Sequence, residues 1–271
     1  MTAELRIDQR IWAVYHRLSP QERRAADALI EHQADLATYR AAELAALADV
    51  SKATMSRLFR RLGFDDFDEV RNHVRTLRSL GEPRTLAAPT NAKAIVAAES
   101  EAIATALRDN DVSAAIAAIA SARQVLVLGW RNSYPVALHA RQQLIQAREG
   151  VRLGPTPGQT IGEDLIDIGA GDVVLVFGFR RRPTGFAAML AQAGAGGATV
   201  ILVADPTLRA HGADILLECP IQGPLAFDSY AAAMSLITVL ADGVMTARGS
   251  AGQARVSSIS DAYTLLGEVE R

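Results

Sequence analysis

The sequence predicts an α/β protein: an all-helical head over residues 1–80, then a body over 92–271 built on a doubly wound parallel sheet. Three observations carry this. Apolar residues of the head recur only at helical spacing. The composition then shifts over 81–91, where Pro83, Thr85, Pro89, Thr90 and Asn91 mark a linker. From Gln124 onward, short β-branched runs alternate with helical segments, the pattern of strands covered on both faces.

In the head, Ser19-Pro20-Gln21-Glu22 is a capping box with proline at the first helical position. Leu18, Ala25, Ala28 and Leu29 supply its apolar stripe. Leu44 and Leu47 place a short helix over 41–48, and a tight turn at Asp49-Val50 follows. Ser51 caps a helix over 52–62, which Gly63 stops just past its end. Asp65 or Asp66 caps a fourth helix carrying Phe67, Val70, Val74 and Leu77. Trp12, between Ile11 and Val14, is expected in the core.

In the body, helices over 92–107 and 112–122 precede the sheet. Strands are read at Val125-Leu126-Val127-Leu128, Val173-Val174-Leu175-Val176-Phe177 and Thr199-Val200-Ile201-Leu202-Val203, with Ile215-Leu216-Leu217 a further candidate. Helices over 135–149, 184–195 and 229–247 complete a sheet core spanning about 124–244.

A 49% hydrophobic and 21% charged composition excludes a disordered chain. The lone Cys219, beside Pro220, leaves no internal disulfide and reads as inert packing. No run of about 18 apolar residues predicts a membrane span. Met1-Thr2-Ala3-Glu4-Leu5 lacks a signal peptide's pattern, so a cytoplasmic location is expected. No Cys/His metal spacing, Walker loop or nucleophile elbow occurs, so neither metal nor cofactor is expected. His139 reads as packing or surface. The net charge of −2 hides an asymmetry. Residues 51–63 carry +4 with no acid, and Asp65, Asp66, Asp68 and Glu69 follow immediately.

Two short helices, a tight turn and a basic third helix have helix-turn-helix spacing. Such a third helix enters a DNA major groove. Ser51, Lys52, Thr54 and Ser56 at its start are candidates to reach base edges, and Arg57, Arg60 and Arg61 to hold phosphates. Met55, Leu58, Phe59 and Leu62 fall on the opposite, core-facing side. The expected partner is a double-stranded DNA operator. The alternative is a solvated basic helix in an ordinary bundle.

The segment Val50-Ser51-Lys52-Ala53-Thr54-Met55-Ser56-Arg57-Leu58-Phe59-Arg60-Arg61-Leu62-Gly63-Phe64, followed by Phe67, resembles the recognition-helix region of the RpiR family of bacterial transcriptional regulators. That family repeats a Val-Ser-x-Ala-Thr-x-x-Arg start and a Leu-Gly-Phe end. Ser19-Pro20-Gln21-Glu22 matches its first-helix start, and the resemblance covers roughly residues 5–78. It implies that the body is a sugar-isomerase-like (SIS) domain, which binds phosphosugars in many members. It also implies a homo-oligomer, dimer or tetramer, with paired heads on half-sites. Gly129-Trp130-Arg131-Asn132-Ser133 lies where the family's Gly-rich loop ends in a phosphate-holding serine, matched by Ser133. Ala204-Asp205 and His211-Gly212-Ala213-Asp214 sit where the family places a later loop and strand. At the loop after Phe177 the chain departs. The family's Ser-x-Ser-Gly-x-Thr is here Gly178-Phe179-Arg180-Arg181-Arg182-Pro183-Thr184, with Thr184 the one nearby hydroxyl, out of register by a residue.

Three arginines at the C-terminal end of a parallel strand point to an anion. Ligands bind outside such strand ends, and a guanidinium matches carboxylate and phosphate alike. The expected effector set is Arg131, Asn132, Ser133, Arg180, Arg181, Arg182, Thr184, Asp205 and His211. Otherwise these arginines are solvated, or pair across a subunit interface with acids such as Glu163 and Asp164. Trp130 either stacks on the ligand or covers the pocket edge. The sequence thus predicts a ligand-responsive DNA-binding regulator, not an enzyme. The alternative, a sugar-phosphate isomerase or lyase with an appended helical domain, needs Glu163 or His211 as its base.

Overall fold

A computed structural model of the protein describes residues 7–32, 36, 39–79, 92–180, 182–208, 211–223 and 227–269. The expected linker over 81–91 and the side chain of Leu77 lie outside them. The chain falls into two compact units that part near residue 90.

The head comprises α1 (Ile7–Val14), α2 (Pro20–Glu31), α3 (Ala41–Leu47), α4 (Lys52–Arg61) and α5 (Phe67–Ser79). The capping box forms: Glu22 N–H donates to Ser19 Oγ at 3.3 Å, and Ser19 N–H to Glu22 Oε2 at 2.9 Å. Between α3 and α4, Asp49 takes the left-handed region at φ 49°, which a short polar side chain tolerates. That lets Asp49 N–H reach Ala46 O (3.1 Å) and Val50 N–H reach Ala45 O (2.9 Å). Gly63 (φ 83°) repeats the device after α4: its N–H donates to Arg60 O and that of Phe64 to Phe59 O. Both carbonyl-rich helix ends are therefore satisfied within the motif.

Met55, Leu58, Phe59 and Leu62 enter one core with Ile11, Leu29, Leu44 and Val70. Trp12 does not: it is 59% exposed, contrary to expectation. Ile7 and Ile11, about one turn apart, take the buried stripe, and the next position is rotated about 100° out of it. Trp12 packs on Tyr15 instead, with ring centroids 5.0 Å apart.

The body runs α6 (Ala92–Arg108), α7 (Ser113–Ser121), β1 (Val125–Gly129), α8 (Ser133–Ala147), β2 (Val151–Gly154), α9 (Gly162–Ile166), β3 (Val173–Phe177), α10 (Phe186–Ala195), β4 (Thr199–Ala204), β5 (Ile215–Glu218) and α11 (Ala231–Leu266). The five strands are parallel in the order β2-β1-β3-β4-β5. Alternate residues feed two cores. Val125, Val127, Val173, Leu175, Ile201 and Val203 pack with residues of α8 and α11. Leu126, Leu128, Val174, Val176, Val200 and Leu202 pack with Phe186, Met189 and Leu190 of α10. The sheet is doubly wound, as expected.

Four elements differ from expectation: the short helices α1 and α9 were not read from the sequence, and β2 and the last helix also depart from it. β2 was not anticipated. It is a four-residue edge strand whose Arg152 reaches out to Asp164 at 2.6 Å, too short and polar to declare itself by alternation. The last helical stretch extends to Leu266, with Gly249 (φ 52°) breaking it near the expected end. Among the described residues, α11 is the one helix long and apolar enough by composition to cross a membrane. Its Ala233, Leu236, Ile237, Leu240 and Val244 are nonetheless buried in the body's core.

Two buried polar groups complete the frame. Cys219 is buried, which pushes its thiol up to about 12. Arg148 is also buried, and its guanidinium donates to the carbonyls of Ile119, Ala122, Arg123 and Glu149. It closes the C-terminal end of α7 and lowers its own pKa through burial.

Candidate functional site

Two places in the chain gather polar chemistry. The first is the outer face of α4. With Met55, Leu58 and Phe59 turned inward, Lys52, Ser56, Arg57, Arg60 and Arg61 are exposed. Ser51 caps the helix, its Oγ accepting from Thr54 N–H at 3.1 Å.

Thr54 corrects the expectation that it faces a groove. It is buried, and its hydroxyl lies 3.0 Å from Ser51 Oγ and 3.4 Å from Gln21 Oε1 on α2. Arg61 likewise turns back, with Nε 3.2 Å from Glu22 and Nη1 donating to Arg17 O at 2.9 Å. Glu22 is buried and its carboxyl is held below the usual range, first by the Ser19 N–H and further by Arg61 and Arg57. Thr54, Glu22 and Arg61 therefore fix α4 on α2. Lys52, Ser56, Arg60 and Arg57, whose Nη2 also donates to Thr54 Oγ1 at 3.2 Å, make up the rest of the exposed polar face.

The second place is the switch point of the sheet. Strand order reverses between β1 and β3, where Gly129 and Phe177 pair, and such reversals open a crevice at the strand ends. Gly129 is required there: a Cβ would stand 2.4 Å from Ser133 O. Arg131 is exposed at φ 54°, Asn132 is exposed, and Ser133 is buried at the start of α8. Tyr230 is pushed up by burial and then by Asp228. Its ring meets Phe179 edge-on at 5.3 Å.

After β3, Arg180 and Arg182 are paired with acids other than Glu163 and Asp164. The Arg180 side chain, 5% exposed, is ion-paired with Asp228. Arg182 Nη2 lies 2.7 Å from Asp205 Oδ2, while its Nε donates to Gly178 O. Burial pushes Arg182 down and Asp205 opposes the shift. Asp205, expected to touch an effector, is thus a buried counterion that also accepts from Thr207 N–H at 3.1 Å.

The remaining expected residues disperse. Thr184 and His211 are exposed, and His211 Nδ1 accepts from Ala213 N–H at 3.3 Å. Arg181 lies outside the described residues. Glu163 accepts from Thr160 Oγ1, and Asp164 pairs with Arg152.

The missing serine motif has a packing reason. A Cβ at Gly178 would stand 2.4 Å from the Phe186 ring and 2.9 Å from Leu202. Trp130 meets Phe186 edge-on at 6.3 Å. With Ser133, Phe179, Arg182 and Pro183 they line a narrow, closely packed crevice. Asp228 and Tyr230 had no role in the sequence reading. They stand about fifty residues from Arg180, and nothing local marks them.

Residues 5–79 match the helix-turn-helix domain of the rpiR family. No curated protein matches the chain. Among solved structures, the sugar isomerase domain of an RpiR transcription factor from Sphaerobacter thermophilus is similar at 19% identity and a TM-score of 0.57, over 62% of this chain and 96% of that one. The NanR protein of Vibrio vulnificus, solved with ManNAc-6P, is similar at 16% identity and a TM-score of 0.55, over 96% of this chain and 99% of that one. At these identities the likeness is one of fold: a helical head, then an SIS-like α/β body.

Proposed function

From residues 5–79, which match the helix-turn-helix domain of the rpiR family, we propose that this chain is a DNA-binding transcriptional regulator whose body senses a small anionic metabolite. The observation that carries the reading is the outward face of α4. Lys52, Ser56, Arg57 and Arg60 stand together, with no acid from Ser51 to Gly63. The start of the helix is suited to base edges, and the arginines to phosphates.

Four polar groups per head make a small electrostatic footprint. The reading therefore includes a homo-oligomer, dimer or tetramer, that sets two heads on the half-sites of a double-stranded operator in the cytoplasm. Arg131, Asn132, Ser133, Arg180 and Arg182 are the effector set. The effector is phosphorylated or carboxylated. The ManNAc-6P held by the Vibrio protein is of the first kind. A regulator is favoured over an isomerase because Glu163 and His211 are exposed and stand apart from the residues gathered at the crevice.

Selection from a random double-stranded DNA pool at low salt tests this. One sequence should be enriched, and its affinity should fall with salt at a log–log slope of about −0.9 per phosphate contacted. Arg57→Ala and Arg60→Ala should each reduce that slope by about 1 per head. No enrichment at low salt, with or without added phosphate, overturns the reading.

A further inference from the structure

We infer that Asp228 is a built-in competitor: its carboxylate occupies Arg180 as an anionic effector would, and the effector binds by displacing it. The inference rests on the proposed effector crevice and adds the residue that sets its affinity. Two ion pairs stand at the switch point, and they are not equivalent. Arg182 is anchored twice, by Asp205 and by Gly178 O, and its partner Asp205 is 3% exposed and further held by Thr207. The Arg180 pair is lopsided. The Arg180 side chain is 5% exposed and that of Asp228 22%, so the acid is the more solvent-accessible member. An oxyanion arriving from solvent meets Asp228 first and finds Arg180 behind it.

The surroundings suit such an exchange. Trp130 and Ser133 of the loop after β1 line the crevice with Phe179 and Arg182 of the loop after β3, and the Phe179 ring meets Tyr230, two residues past Asp228, at 5.3 Å. The loop after β1 and the Arg180 pair therefore share one small region. Arg131, exposed on that loop, has no ion-pair partner among the described residues. It is left to guide an anion in, whereas Arg180 is already neutralised. An arginine held by an internal carboxylate binds an external anion only in the fraction of molecules where the pair is open, and the apparent dissociation constant rises by the inverse of that fraction. Removing the internal acid should therefore strengthen anion binding, the opposite of what deleting a binding residue does.

The full chain carries two tryptophans, Trp12 and Trp130. A Trp12→Phe background thus leaves Trp130, which lines the crevice, as the fluorescence reporter. Inorganic phosphate is titrated at constant ionic strength. Asp228→Asn should bind it at least tenfold more tightly than the background protein, and adding Arg180→Gln should abolish that gain. Asp228→Asn also takes a carboxylate away from a buried guanidinium. Its melting temperature in chloride should fall and should be restored by phosphate, as ligand linkage requires.

Equal or weaker phosphate binding by Asp228→Asn, with binding lost in Arg131→Ala, overturns the competition and leaves the anion site standing. A lowered melting temperature that phosphate does not restore overturns it too. No phosphate response in any variant overturns both the competition and the effector crevice.

Discussion

Glu22 shows how much a single carboxylate can hold. It closes the capping box of α2, braces α4 through Arg61, and is buried while doing so. Its folded pKa is lowered, so the native head binds that proton less readily than the unfolded chain. The stability it contributes is complete above its ordinary value of about 4.3 and is lost as pH falls through the lower folded value. Glu22→Gln should therefore reduce head stability at neutral pH and lose its difference from the parent in acid. Urea titrations followed at several pH values check this; a difference that grows on acidification contradicts it. Ser19 and Glu22 were legible because a capping box is four residues long. The Arg61 bond to Glu22 was not legible, because the two lie thirty-nine positions apart, where no local pattern reaches. Thr54 is the same case: a polar residue at the start of a basic helix looks like a base reader until the facing helix is seen to take its hydroxyl.

Elements succeed or fail by whether their ends are satisfied. α3 and α4 close on left-handed residues within their own sequence, and the Gly63 stop was foreseeable for that reason. α7 uses no such local device. The carbonyls of Ile119 and Ala122 at its end are taken by Arg148, which lies just past the last residue of α8. Arg148→Met keeps most of the volume and removes every donor. Stranding several buried carbonyls should cost the body about 2–4 kcal/mol, read as a fall in the denaturant midpoint of the body's transition. A loss below about 0.5 kcal/mol would mean that water satisfies those carbonyls equally well. The strands were legible wherever both faces are buried, as in β1, β3 and β4, because their apolar runs are continuous. β2 was not: an edge position lets Arg152 stand in the strand and conceal it.

At the scale of the whole molecule, the described side chains form one hydrophobic core in the head and two in the body, one on each face of its sheet. Perturbations of head and body should therefore add. The double variant Glu22→Gln with Arg148→Met should shift the head and body transitions by the sums of the single effects, within about 0.5 kcal/mol, in calorimetry of the full chain. A coupling well beyond that margin would contradict separate cores. The sequence by itself determined the order of the elements, the helix-turn-helix spacing, the doubly wound sheet and the acid-free basic stretch. These follow from periodicities and caps that act over a few residues. Only the tertiary structure decided which charges remain available. It turned Thr54 inward onto α2, paired the exposed Arg61 with Glu22, filled the space beside Gly178 with Phe186, and gave Arg180 and Arg182 to Asp228 and Asp205. The physical reason is that a buried guanidinium requires a counterion, and which carboxylate supplies it is settled by how distant segments pack.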